Sequence, residues 1–144
     1  MSTTTIDPTG LVVGAELPPF QAEEISRTTL ALFGPASGDF HPLHLDIDVA
    51  RSAGLDDVFA HGMLSMAYLG RLLTQWADQR QIRALSARFT AITPLYARPV
   101  CRGTVTEVVT DETGQTITLG LTVNLQDGTQ TLSGTATIHF PAGS

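Results

Sequence analysis

Two hydrophobic periods divide the chain. From Leu85 onward, apolar and polar positions alternate. Leu85, Ala87, Phe89 and Ala91 interleave with Ser86, Arg88 and Thr90. Ile117, Leu119, Leu121, Val123 and Leu125 interleave with Thr116, Thr118, Gly120, Thr122 and Asn124, and Leu132, Gly134, Ala136, Ile138 and Phe140 with Thr131, Ser133, Thr135, Thr137 and His139. Period two is the mark of strands with one buried face. A weaker strand is expected at Thr104 to Thr110. Glu112-Thr113-Gly114 and Asp127-Gly128 supply hairpin turns. The expectation is an antiparallel meander of about four strands.

Before Leu85 the period is helical. Over Gly62 to Asp78, Met63, Leu64, Met66, Ala67, Leu69, Leu72, Leu73 and Trp76 cover most of the circumference, and Arg71, Gln75 and Asp78 form a narrow polar stripe. A helix apolar nearly all round is expected to be buried nearly all round. The apolar face of the sheet is the natural wrapping. Upstream, Gln21 to Ile25 reads as a short strand. Ser26 caps a helix through Leu30 and Phe33 that Gly34-Pro35 stops. Asp46 to Ala53 reads as a short helix with Gly54 as its end signal. The first ten residues are expected to be loose. No repeat or linker divides the chain, so residues 1–144 are expected to form one α+β domain.

Composition narrows the function. The chain has 144 residues, 42% hydrophobic and 15% charged, the balance of a globular domain rather than a disordered one. Its net charge is −6 with no run of basic residues, which does not suit nucleic acid. Cys101 is the only cysteine, so no internal disulfide forms. The N-terminal Met1-Ser2-Thr3-Thr4-Thr5 lacks the basic head and apolar core of a signal peptide. The longest apolar stretch, Val58 to Gly70, contains His61 and is too short to cross a bilayer. A cytoplasmic protein without membrane partners is expected.

The chemistry concentrates in one region. His41, His44 and His61 lie close in sequence, beside Asp39, while His139 sits apart on the polar side of a strand. A carboxylate and an imidazole five residues apart in a turn can address one water, one taking a proton as the other gives one. The plainer reading is that Asp39 caps a turn and His44 packs. The Gly38-Asp39-Phe40-His41-Pro42-Leu43-His44 string favours a loop held in one shape, since Pro42 is rigid and Gly38 permissive. Zinc held by His41, His44, Asp39 and His61 is a minor alternative, because the spacing matches no zinc-hydrolase pattern. His61-Gly62 opens the apolar helix. Its free N–H groups and the absent side chain of Gly62 suit a carbonyl oxygen that gains charge, although a tight turn alone also accounts for Gly62. Ser65, one turn on, either lines a pocket or bonds to the preceding turn. Cys101 has no nucleophile motif around it, and neither a nucleophile elbow nor a phosphate-binding loop occurs.

At these residues the chain resembles a known family. Phe33 to His44, with Ser37-Gly38-Asp39 and Pro42-Leu43-His44, is similar to the hydratase 2 motif of the MaoC-like, (R)-specific enoyl-CoA hydratases. Val58-Phe59-Ala60-His61-Gly62-Met63-Leu64 resembles the family's apolar-A-H-G segment at the family's distance. Arg88-Phe89 and Pro94 to Gly103 resemble its following strand and turn. The resemblance covers most of Ser26 to Phe140. It implies a hot-dog fold, a curved antiparallel sheet wrapped around a long central helix. It implies a homodimer or higher oligomer that joins its sheets, with the active site near the interface. By the same resemblance, Asp39 and His44 are the catalytic pair that adds water to a 2-enoyl thioester, or removes it from an (R)-3-hydroxyacyl thioester. The Gly62 N–H polarises the thioester carbonyl. Ser65, His61, Met63 and His41 border the substrate. The ligand handle is coenzyme A or an acyl carrier protein, with no metal or organic cofactor implied. The chain departs from the family at His41, where the motif has Asn; histidine is larger and takes a charge. Two alternatives are a hot-dog thioesterase, disfavoured because the helix opens without a carboxylate, and a non-catalytic acyl-binding subunit, disfavoured because Asp39 and His44 are both present.

Overall fold

The computed structural model describes residues 10–143. The looseness expected of the first ten residues falls, for residues 1–9, outside the described residues. Strands β1 (Phe20–Gln21), β2 (Ile82–Phe89), β3 (Val100–Asp111), β4 (Gly114–Asn124) and β5 (Gln130–Pro141) form one antiparallel sheet in the order β1-β3-β4-β5-β2. Helices α1 (Arg27–Ser37), α2 (Ile47–Ser52) and α3 (Gly62–Thr74) precede β2. Helix α3 packs against β1, β2, β3 and β4. This is the hot-dog arrangement, a sheet closed around a central helix.

In β4 and β5 the period-two pattern buries one face as predicted, whereas in β2 Leu85 and Ala87 are only half-buried and Phe89 is exposed. Ile117, Leu119, Leu121 and Val123 of β4 are buried, while the threonines between them are half-buried on the outer face. They meet Leu69, Leu72 and Leu73 of α3 and Trp76 just beyond it in the main core. Burial of each such side chain stabilises by roughly 1.5–3 kcal/mol. The hairpins fall where Gly114 and Gly128 reach φ +134° and +91°, backbone that favours glycine. His139 stays apart from the other histidines, beside the Thr116 hydroxyl at 3.0 Å.

Four expectations need correction. The sheet is not a four-strand meander, since β2 lies beside β5 at the outer edge and β1 covers the free side of β3. Strand β3 begins at Val100, not Thr104; Gly103 hides its alternation because a Cβ there would sit 3.2 Å from Leu17 and 3.3 Å from Leu121. Helix α1 runs through Gly34-Pro35 to Ser37 and ends at Gly38, whose φ of +76° makes the left-handed cap. The carbonyl of Ala31, which Pro35 cannot bond, belongs to an exposed residue open to water. Helix α3 ends at Thr74, because Asp78 instead caps a separate 3₁₀ turn over Gln79–Gln81.

Helix α3 is also less buried than its composition implies. Leu64, Ser65, Leu69, Leu72 and Leu73 are buried, but Met63 is 53% exposed, Ala67 is exposed, and Met66 and Gly70 are half-buried. A Cβ on Gly70 would touch nothing within 4 Å, so Gly70 does not serve close packing. One apolar strip of the helix is open in the single chain.

Cys101 lies in the main core at 0% exposure, and burial pushes its thiol up to about 12. The thiol is therefore expected to resist a thiol-specific reagent at pH 8 in the native protein and to react once per chain in denaturant. Rapid native labelling contradicts this placement of β3.

Candidate active site

A second, smaller core supports the site. Ile25, Leu30, Ala50, Val58, Ala60 and Leu64 pack together beneath the segment that carries the candidate residues. Ser26 caps α1 through the Thr29 N–H at 3.1 Å, with a reciprocal bond back to the Ser26 N–H. At the other end, Ser37 donates its hydroxyl to the Phe33 carbonyl at 2.7 Å, and Gly38 reverses the chain into Asp39. A single 3₁₀ turn over Pro42–His44 follows. Asp46 then caps α2 by accepting from Asp48 N–H at 2.9 Å.

His41 caps the 3₁₀ turn. Its Nδ1 accepts the Leu43 N–H at 3.2 Å, and its own backbone N–H donates to Asp39 Oδ1 at 3.2 Å. An asparagine oxygen could serve the same acceptor role, so the departure from the motif preserves the cap. Protonation of His41 removes that acceptor. The ring is exposed, 6.1 Å from the His44 ring between centroids. His41 thus supports the loop.

The turn aims His44 inward. Its Nδ1 lies 2.7 Å from the Phe59 carbonyl oxygen. A carbonyl only accepts, so Nδ1 carries the proton and Nε2 presents its lone pair. That Nε2 stands 3.9 Å from Asp39 Oδ2, with the two side chains 11% and 44% exposed. The separation is too long for a direct hydrogen bond and suits two acceptors that share one water. Sequence reasoning placed Asp39 and His44 at one small volume, and the structure brings them together there.

His61 lies beneath them. It is 0% exposed and its ring stacks on His44, with centroids 4.1 Å apart and an interplanar angle of 26°. Its Nε2 is 3.1 Å from the Asp39 carbonyl oxygen, so Nε2 carries its proton. Nδ1 is buried with no partner among the described residues. The ring was expected to border substrate; it is instead sealed below the pair. Burial lowers its proton affinity and the neighbouring His44 adds to this, against the bond to Asp39 that raises it. His61 is thus held toward its neutral form beneath His44.

Asp39, His44 and His61 each offer a ligand atom, all within 4.8 Å of one another. Stacked rings hold their lone pairs in two separate, nearly parallel planes, whereas a zinc site needs both to point at one ion about 2.0–2.1 Å away. The three do not form a convergent ligand set.

Gly62 opens α3 behind His61, which provides no side-chain cap. The Leu64 N–H turns back to the His61 carbonyl at 3.0 Å, which leaves the N–H of Gly62 at the helix start for an approaching acceptor. A Cβ at Gly62 would come within 3.0 Å of the Phe89 ring, so the absent side chain makes room for that ring. Phe89 and Gly62 line a cleft of about 320 Å³ that Phe59, Ile92 and Thr93 also border. On its other side Phe59 borders a second cleft of about 310 Å³ with Val58, Pro94 and Tyr96. Met63 is exposed but is not among the residues that line either cleft. Ser65 is 0% exposed, its hydroxyl 3.4 Å from that of Thr93. Phe59, inside the Val58 to Leu64 segment, and Phe89, in the Arg88-Phe89 pair, were given no role of their own by sequence reasoning.

His61 gives a stability prediction. Its folded-state affinity for protons is depressed, so the unfolded chain takes up a proton first as pH falls below about 6.5. Stability is present above that pH and is lost on acidification. The denaturant midpoint of the wild type is expected to fall between pH 7 and about 5, and that of His61→Gln to fall less. Equal slopes in both proteins contradict the buried neutral imidazole. Separately, His41→Leu is expected to lower stability by about 1 kcal/mol through loss of the cap, and His41→Asn to recover it, by thermal melt.

Comparison with known proteins follows the same residues. A model of the MaoC like domain matches residues 12–133. Mouse (Mus musculus) peroxisomal multifunctional enzyme type 2 is 38% identical over 68 residues, 46% of this chain but only 9% of that protein. Among solved structures, the R-hydratase PhaJ1 from Pseudomonas aeruginosa superposes with a TM-score of 0.80 at 27% identity, over 92% of this chain and 84% of that one. A chain of the ChsH1-ChsH2 complex from Mycobacterium tuberculosis does so with a TM-score of 0.76 at 25% identity, over 90% of this chain and 98% of that one. A motif-bearing loop, a buried helix start and a matching fold over most of the length agree: the chain belongs to the MaoC-like family of hydratases and dehydratases.

Proposed function

We propose that this protein reversibly hydrates trans-2-enoyl thioesters to (R)-3-hydroxyacyl thioesters, with Asp39 and His44 acting on one water. The observation that carries the reading is the approach of the His44 Nε2 lone pair to within 3.9 Å of the Asp39 carboxylate. A water that donates one hydrogen to each turns its oxygen lone pairs outward, toward C3 of the substrate. The new O–C3 bond forms as the C2=C3 π pair moves toward the thioester carbonyl. The Gly62 N–H, at the uncapped start of α3, meets the oxygen that gains charge.

The tautomers add a constraint. His44 commits its proton to the Phe59 carbonyl through Nδ1. With Asp39 as a carboxylate, the resting pair holds no proton to give. The proton that C2 receives is then one the pair has first taken from the water. Dehydration runs the same path backward.

The substrate handle in this reading is coenzyme A, since a net charge of −6 disfavours an acidic carrier protein. No further cofactor enters the reaction. Two copies join along β2, the longer outer strand of the sheet, near the cleft that Phe89 borders. The apolar strip of α3 that the single chain leaves open supports an assembled form. A thioesterase is disfavoured, because α3 carries no acidic residue in its first turn.

A panel of trans-2-enoyl-CoA thioesters from short to long, followed by loss of the conjugated absorbance, is expected to yield (R)-3-hydroxyacyl products. Asp39→Asn and His44→Ala are each expected to cut turnover by roughly 10²–10⁴-fold, with melting temperature and oligomeric state kept. Turnover near the wild-type rate in both variants refutes the pair; silence of the folded wild type across the panel refutes the substrate class.

A further inference from the structure

His61 reaches every working part of the site without facing it. Its Nε2–H donates to the backbone carbonyl of Asp39 at 3.1 Å. Its ring supports the His44 ring from below at 4.1 Å, and the Phe33 ring meets it edge-on at 5.0 Å. It is the residue before Gly62, so its backbone sets where α3 starts. We infer that His61 is a positioning residue for the hydration: it fixes the Asp39 carboxylate, the His44 ring and the Gly62 N–H relative to one another, and it does not meet substrate. The inference rests on the hydration reading.

Two observations separate positioning from mere filling of space. The first is Gly34. A Cβ there would lie 3.3 Å from the Asp39 carbonyl oxygen and 3.9 Å from His61 Nε2. Helix α1 thus keeps a side-chain-free position over this one hydrogen bond, and Gly34 is itself buried. The second is the unpaired Nδ1. A buried polar atom without a partner is unfavourable, and an apolar side chain of similar size would fill the volume without it. What an apolar side chain lacks is the donor that holds the loop.

The bond also explains how Asp39 keeps its place. The Asp39 side chain is 44% exposed, and its carboxylate is held by the His41 N–H on its own loop. The Asp39 backbone N–H turns to Ser37 and its carboxylate to His41, so among the described residues no other hydrogen bond of Asp39 reaches the start of α3. The carbonyl of Asp39 supplies the tie, across 22 residues of sequence. Loss of the donor frees Asp39 to shift relative to the helix end while the Phe59 carbonyl still holds His44, and a reacting group misplaced by about 1 Å costs on the order of 100-fold in rate.

Two variants of the full chain test this. His61→Phe keeps a buried ring and removes the donor; His61→Gln keeps a side-chain N–H. Steady-state hydration of a trans-2-enoyl-CoA that the wild type turns over is measured alongside a thermal melt. In His61→Phe, kcat is expected to fall on the order of 100-fold with KM changed by less than about threefold, and His61→Gln to regain at least about tenfold of that loss. Unchanged kcat in His61→Phe overturns the inference. So does a rise in KM alone, which means contact with substrate, or a Gln variant as slow as the Phe variant at equal melting temperature. If the wild type hydrates no enoyl thioester, the hydration reading fails by itself. His61 is then judged by the ¹⁵N spectrum of the wild-type imidazoles, which needs neither variant nor turnover. Protonated Nε2 with bare Nδ1 at His61 upholds the tie to Asp39, and the opposite tautomer overturns it.

Discussion

The site depends on where the sheet holds α3. Leu69, Leu72 and Leu73, in the second half of the helix, are 0–1% exposed and lock it into the main core. Rotation about the axis is thereby fixed, and so is the direction of the first turn. His61 and Gly62 open that turn, one buried beneath Asp39 and His44 and the other bordering a cleft. The same hydrophobic burial that stabilises the domain therefore sets the geometry of its polar end. A site built on a rigid element holds its atoms more closely than one built on loops alone. Asp39 and His44 do lie on a loop, and they reach comparable order because the loop is anchored at several points: the Gly38 cap, the His41 cap, the Phe59 carbonyl and the His61 donor.

The two stacked imidazoles show how backbone can set side-chain chemistry. Each ring donates to one main-chain carbonyl, but from different nitrogens: Nδ1 in His44 and Nε2 in His61. The carbonyl thus chooses the tautomer. His44 is left with a basic nitrogen toward Asp39, and His61 with one in the core. Chemically identical side chains acquire different tasks, and neither task is written in the residue type.

Much of the fold was legible because half-buried strands must alternate. The residues Ile117 to Val123 and Leu132 to Phe140 announce themselves in that way. The order of strands was not, since pairing β2 with β5 instead of β3 leaves every strand's own pattern unchanged. Gly34-Pro35 misled for a local reason: both discourage a helix, yet α1 continues because its lost bond faces water and Gly34 is needed for a contact made elsewhere. The apolar circumference of α3 was read correctly as composition and wrongly as burial, because hydrophobicity does not say which surface will cover it. At the site, the nearness of Asp39 and His44 was legible from the whole Gly38 to His44 string with its rigid Pro42, and not from their spacing alone. The position of His61 under them was not, since a contact over 22 residues leaves no local trace.

The contact between Gly62 and Phe89 makes two distant positions a single unit of variation. A methyl group at 62 has to displace the aromatic ring by a few tenths of an ångström, given the 3.0 Å approach. The ring is 50% exposed and so has room to swing aside. Enlargement at 62 is then absorbed by motion at 89, or matched by a smaller residue there. The helix start and the strand end share one volume, and the width of the cleft they both line is decided by how they divide it.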